Sequence, residues 1–245
     1  MNKCIIFGAT STIIQKLTTM LIADYQSFSL VARSSEKLEV VKNDLIARGA
    51  KEVHIYQCDF SNSTNIDSLL VQLDMVKSTY DLVIMGQGVL PDQKTCSENY
   101  NDFLRQFQTN FLSMVHITTS LVPKMKERKQ GKLVYIGSVA GDRGRKSNYA
   151  YGTAKASLET FTQGLRNELN DYRIQVTLIK PGFVDTAMTA NLKKGMLFAS
   201  AEKVADGIYH AISSNKDTVY LPSFWMLIMF IIRNIPEAIF KKLSL

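Results

Sequence analysis

The chain of 245 residues holds three cysteines, Cys4, Cys58 and Cys96, far apart in sequence. An odd and dispersed set builds no disulfide framework, and none sits at metal-ligand spacing, so reduced thiols in a cytoplasmic compartment are expected. The three histidines, His54, His116 and His210, are equally scattered, and no metal site is expected. Proline is scarce, at five residues, and no Gly/Ser/Pro-rich tract breaks the chain, so one domain over residues 1–245 is the expectation. The apolar run Cys4–Phe7 is too short for a signal-peptide core and ends at Gly8. Lys/Arg blocks with interleaved aromatics are missing as well. The net charge of +7 is spread along the chain, which argues against nucleic acid and fits an anionic membrane surface or a phosphorylated substrate.

What is present is alternation. Short Val/Ile/Leu-rich runs at Lys3–Gly8, Phe28–Arg33, Glu52–Cys58, Asp81–Gly86, Lys132–Gly137, Ile174–Lys180 and Thr218–Leu221 read as strands buried on both faces of a parallel sheet. Amphipathic stretches such as Ser35–Arg48, Asp102–Arg128 and Asn148–Tyr172 read as helices between them. The pattern predicts an α/β, doubly wound Rossmann fold of about seven parallel strands with helices on both faces. Ligands bind such sheets beyond the carboxyl ends of the strands, where strand order reverses, so the residues just after each strand carry the interest.

Tyr151 and Lys155, in Tyr151-Gly-Thr-Ala-Lys155, fall four apart near the start of a predicted helix and share one face. A free phenol is a poor acid–base at neutral pH, and a neighbouring cation is expected to draw its pKa down. Ser138 follows the strand Lys132–Gly137, where its hydroxyl can bond a carbonyl or carbinol oxygen.

With Asn110 in Gln108-Thr-Asn-Phe and Pro181-Gly-Phe-Val-Asp-Thr186, these motifs stand in the order seen in short-chain dehydrogenases/reductases, and the whole chain resembles that family. The resemblance implies an oxidoreductase that interconverts a ketone and a secondary alcohol with a nicotinamide cofactor. It implies Tyr151 as proton donor or acceptor and Ser138 as the group orienting the reacting oxygen. Lys155 would lower the Tyr151 pKa and hold the nicotinamide ribose, Asn110 would support a relay water, and Pro181, Val184 and Thr186 would close over the nicotinamide. Asp59 would contact the adenine, Phe60 would belong to the cofactor site, and Gly88 would lie near the adenosine ribose.

Two departures stand out. The family's phosphate loop has the pattern TGxxxGxG, whereas only Gly8 survives here, with Phe7, Thr12 and Ile14 at the other marked positions. Thr10, Ser11, Thr12 and Ile13 would then offer hydroxyls and helix-terminal amides to the pyrophosphate; a lost nucleotide site is the alternative. The other departure is Gly86-Gln-Gly88, where the family has Asn-Ala-Gly. At the end of the second strand, Ala32-Arg33-Ser34 offers a guanidinium to a 2′-phosphate, so NADP(H) is expected ahead of NAD(H); a plain surface charge is the other reading of Arg33.

Two further features concern the substrate. The loop Gly141-Asp-Arg-Gly-Arg-Lys146 places Arg143, Arg145 and Lys146 between Ser138 and Tyr151, either for an anionic substrate or as a solvated loop. The stretch Leu221–Ile232, apolar nearly all round and followed by Arg233, Lys241 and Lys242, is too short to span a bilayer. It reads as an apolar C-terminal helix, with Phe224–Ile232 in peripheral contact with the inner face of the membrane, or as a buried or dimer-contact helix. Together these features are similar to those of reductases acting on polyprenyl-phosphate-linked 2-keto-pentofuranose, the decaprenylphosphoryl-arabinose type, and of relatives in bacterial surface-polysaccharide synthesis. A homo-oligomer acting on a small-molecule or lipid-linked keto-sugar is therefore expected. A reductase of a soluble ketone or nucleotide sugar, and a non-catalytic nucleotide-binding or membrane-scaffold protein, are the alternatives.

Overall fold

In the computed structural model, residues 2–75, 79–191 and 193–243 are described. The first half runs β1 (Lys3–Phe7), α1 (Thr12–Leu21), β2 (Ser27–Ala32), α2 (Ser35–Ala47), β3 (Glu52–Gln57), α3 (Ser63–Met75) and β4 (Leu82–Met85). Then come α4 (Gln93–Glu98), α5 (Tyr100–Phe107), α6 (Ser113–Arg128), β5 (Gly131–Ile136), α7 (Tyr149–Leu169) and β6 (Ile174–Pro181). The chain ends with β7 (Val184–Asp185), β8 (Ala199–Ser200), α8 (Ala201–Ser213), β9 (Thr218–Leu221), α9 (Phe224–Asn234) and α10 (Glu237–Phe240).

Seven strands form one parallel sheet in the order β3-β2-β1-β4-β5-β6-β9. This is the doubly wound Rossmann arrangement that the apolar runs predict, and each expected strand forms within one residue of its expected limits. Alternate strand residues feed two cores. Ile6, Leu30, Ile84 and Ile179 face α1, α2 and α8, whereas Phe7, Val83, Tyr135 and Leu178 face α3, α6 and α7. Near-complete burial of the inner strands β1, β2, β4, β5 and β6 explains why they read as apolar runs, whereas the edge strands β3 and β9 stay partly exposed.

Two features differ from expectation. The helix expected over Asp102–Arg128 is two helices joined by a π turn, Gln108–Leu112, which carries Asn110. After β6 a small second sheet, β7–β8, folds over the strand ends. Among the described residues no helix is long and apolar enough to cross a membrane.

Candidate active site

Strand order reverses between β1 and β4, and their exits nearly touch. Gly8 has φ +78°, and a Cβ on it would lie 2.6 Å from the Gln87 nitrogen, so only glycine fits that turn. Beyond it, Thr10, Ser11 and Thr12 lead into α1. The Ser11 amide bonds the Gly8 carbonyl at 3.0 Å, but its side chain makes no capping bond and the first turn holds no acidic residue, so the hydroxyls and the first helical amides stay open to an anion. Ile13 is half-buried against the core, and Ile14 is fully buried. A Cβ on Gly86 would sit 2.7 Å from the Ile14 side chain. The two departures from the family pattern are thus one exchange: bulk gained at residue 14 occupies space released at residue 86. The turn survives the loss of its other glycines.

The remaining nucleotide-side residues are placed as follows. Arg33 is exposed, and its guanidinium has no hydrogen-bond or ion-pair partner among the described residues. Asp59 turns its Oδ1 back onto the Ser61 amide at 3.0 Å and hydroxyl at 2.9 Å. The Phe60 ring is buried, edge-on to Phe7 at 6.3 Å, which leaves its backbone as the part that can face a nucleotide. Sequence reasoning missed Gln87. Its Nε2 donates to Ser113 Oγ at 3.2 Å, while its buried Oε1 has no hydrogen-bond partner among the described residues. A tight glycine turn, an uncapped helix start, an unpaired arginine and an unmatched acceptor at the switch point fit a phosphorylated dinucleotide.

Ser138 leaves β5 and caps a 3-10 turn, Val139–Gly141, its Oγ accepting from the Ala140 amide at 3.1 Å. That turn lies directly on α7. A Cβ on Gly141 would be 2.7 Å from the Lys155 carbonyl carbon, and one on Gly152 would be 2.8 Å from the Ala140 oxygen. The close seat brings the Ser138 hydroxyl near enough to the Tyr151 phenol to favour the phenolate. Lys155 is buried; its Nζ donates to the Ile136 carbonyl at 2.8 Å and lies 5.6 Å from the Tyr151 ring centre. Burial pushes the Lys155 pKa down to about 8. Burial also pushes Tyr151 up to about 12, against a smaller opposite pull from Ser138. The expected lowering of the phenol pKa is therefore absent, because desolvation outweighs a cation held off by the Ile136 carbonyl.

Asn110 is fully engaged by neighbouring groups. Its Oδ1 accepts from the Val89 amide at 3.0 Å, and its Nδ2 donates to Val89 O at 3.0 Å and Gln106 Oε1 at 3.1 Å. The side chain straps the loop after β4 to the π turn. Gly88 completes this group, since a Cβ there would lie 2.9 Å from Asn110 Oδ1 and 3.8 Å from Lys155 Nζ. On the opposite wall Pro181 ends β6, Val184 is buried in β7, and Thr186 caps a 3-10 turn through Thr189.

The basic loop is only partly as expected. Arg143 corrects its assignment to substrate. Its guanidinium donates to the carbonyls of Ile232 at 2.7 Å, Arg233 at 3.2 Å and Ile235 at 2.6 Å, pairs with Glu237, and lies over the Phe240 ring at 3.7 Å. It closes the end of α9, adding donors to carbonyls at the helix terminus. Arg145 is half-buried beside α9, with Nη2 at 3.3 Å from Met229 Sδ and a buried Nε without a partner. Lys146 is exposed.

The C-terminal helix has two apolar faces. Trp225 and Met229 are buried and, with half-buried Ile228 and Ile232, pack on Val139 beside Ser138. The Trp225 indole fills the space over Gly182, edge-on to Phe183 at 5.4 Å. The other face is open: Leu227 is 64% and Phe230 65% exposed, with Phe224, Met226 and Ile231 alongside. Phe224–Ile232 is thus not one contact surface, and Trp225, Ile228 and Ile232 belong to the interior.

Comparison with known proteins agrees with this geometry. Residues 2–197 match the short chain dehydrogenase family, and the chain belongs to it. It is 30% identical over 241 residues to an uncharacterized oxidoreductase of Mycobacterium tuberculosis (strain ATCC 25618 / H37Rv), covering 98% of this chain and 96% of the relative. In fold it is similar to a short-chain dehydrogenase from Sphingobium yanoikuyae solved with NADPH, at TM-score 0.83 and 18% identity, covering 97% and 98% of the two chains. A 3-oxoacyl-[acyl-carrier protein] reductase from Brucella melitensis with bound NAD gives TM-score 0.78 and 21% identity, covering 90% and 89%. The chain is an oxidoreductase of the NAD(P)-dependent short-chain type.

Proposed function

We propose that the protein reduces a ketone to a secondary alcohol with NADP(H), with NAD(H) as the weaker alternative. The observation that carries this reading is the seat of the Ser138 turn on α7 beside Tyr151, with Lys155 buried one turn on and bonded to the Ile136 carbonyl at the exit of β5. Tyr151, held protonated, donates a proton to the carbonyl oxygen as it gains negative charge, and Ser138 orients that oxygen. The nicotinamide supplies the hydride. Lys155, charged below about pH 8, favours phenolate once the proton has left. Arg33, unpaired and at the end of β2, suits the 2′-phosphate, in keeping with the NADPH named for the similar Sphingobium protein. NADPH oxidation by wild type and Tyr151→Phe against a panel of free and lipid-linked keto-sugars tests the reading. Equal turnover by the two proteins would overturn it.

The substrate proposed is a keto-sugar carried on a polyprenyl phosphate, in bacterial cell-surface glycan synthesis. Arg145, whose donors are not committed to a carboxylate, would take the anionic group, with Lys146 beside it. The open face of α9 would meet the inner leaflet of the membrane. Its apolar side chains are bordered by Arg233, Lys241 and Lys242, a pattern matched to anionic lipid. In a twofold contact between two copies the same cations would oppose one another. Sedimentation with phosphatidylglycerol vesicles at low salt checks this. Wild type should pellet, and a variant carrying Leu227→Ser, Phe230→Ser and Ile231→Ser should stay in solution while still binding NADPH. Wild type that ignores vesicles and dimerises through this face would refute it.

A further inference from the structure

We infer that Lys180 is a positioning residue: one buried ammonium that fixes the relative placement of the catalytic turn, the catalytic helix and the strand end beneath the nicotinamide loop. Lys180 is 1% exposed on β6, immediately before Pro181-Gly182. It is in ion-pair contact with Asp142 and 2.8 Å from Glu159 Oε2, and its ammonium lies 4.9 Å from the centre of the Tyr220 ring. Tyr220 donates its hydroxyl proton to Asp142 Oδ2 at 2.8 Å.

Each partner belongs to a different wall. Asp142 follows the turn that begins at Ser138, and its side chain is fully buried. Glu159 stands on α7 at the same spacing from Lys155 as Lys155 from Tyr151, so the three share a helix face. Tyr220 lies on β9, just before the C-terminal helices. Burial works against the Lys180 charge, but bonds to Asp142 and Glu159 outweigh it and the pKa rises. The groups facing it are Asp142, Glu159 and Tyr220, with Arg145 within the field of Asp142. None of these four residues takes part in the proposed proton transfer. Their connection to Ser138, Tyr151 and Pro181-Gly182 is mechanical.

The inference rests on the proposed reductase chemistry, so its test includes readouts that do not need turnover. The variant Lys180→Met/Asp142→Asn/Glu159→Gln removes the three mutually paired charges together, and of the neighbouring cations only half-buried Arg145 loses the field of Asp142. Its melting temperature and NADPH affinity should stay close to wild type. Its kcat for a ketone that the wild type reduces should fall tenfold or more. Amide exchange in Val139–Asp142 and Gly182–Val184 should quicken, with β1 and α1 unchanged. Wild-type kcat and unchanged exchange would overturn the inference. If that variant does not fold, Glu159→Gln and Tyr220→Phe decide separately. Each should lower kcat several-fold at unchanged NADPH affinity, and wild-type kcat in both would overturn the inference. Absence of ketone turnover in the wild type would instead strike the reductase reading, and the exchange data would still report on positioning.

Discussion

Two lysines are buried in this site, and their surroundings are opposite. Lys155 meets a backbone carbonyl and no carboxylate, and burial draws its pKa down to about 8. Lys180 meets two carboxylates, and its pKa is raised. An unpaired buried charge is costly to fold and responsive to whatever enters the site; a paired one is costly to break and inert. The contrast separates the lysine placed for chemistry from the one placed for geometry.

Lys155→Met should break the first environment with the largest effect. Ketone reduction should fall by roughly 10²- to 10⁴-fold, the range for loss of acid–base assistance, as measured by steady-state kinetics with saturating NADPH. Lys180→Met alone should act mainly on stability, leaving Asp142 and Glu159 unpaired in the interior. A loss of about 3–5 kcal/mol is expected in urea unfolding. Little change there would mean that the cluster is hydrated.

The stability consequence of Lys155 has the opposite sign. A folded pKa of about 8 against an ordinary value of 10.5 means that folding penalises the charged form, by roughly 3 kcal/mol at most. The penalty is whole below pH 8 and fades as pH rises toward 10.5, where the unfolded lysine also loses its proton. Lys155→Met should therefore be more stable than wild type at pH 7, with the gain shrinking through that window. A variant less stable at pH 7 would contradict the contrast. The smallest effect belongs to Arg33, the exposed cation without a partner. Arg33→Asp should weaken NADPH by about 1.5–3 kcal/mol and spare NADH, as read by fluorescence titration.

The sequence made the strands legible because parallel core strands are apolar on both faces, so Cys4–Phe7 or Leu82–Met85 needs no tertiary knowledge. Tyr151, Lys155 and Ser138 were legible through helical spacing and position after a strand. The π turn at Asn110 was not. Buried positions such as Gln106, Asn110, Ser113, Ile117 and Leu121 keep helical spacing across it, so the widened turn leaves no mark in the pattern. Arg143 reads as a free cation because nothing local shows that α9 ends beside it. Lys180 did leave a signal: a charged residue within the otherwise apolar end of β6 is rarely buried without partners. The two faces of α9 could not be separated, since both are apolar and only packing tells Trp225 from Leu227.

The contact between Ile14 and Gly86 also constrains history. Starting from the family's glycine at 14 and asparagine at 86, isoleucine arriving first would meet a side chain already in its space. Glycine arriving first at 86 leaves only a small gap, which the later isoleucine fills. One order of substitution is passable and the other is blocked, so reverting either position alone should be worse than reverting both.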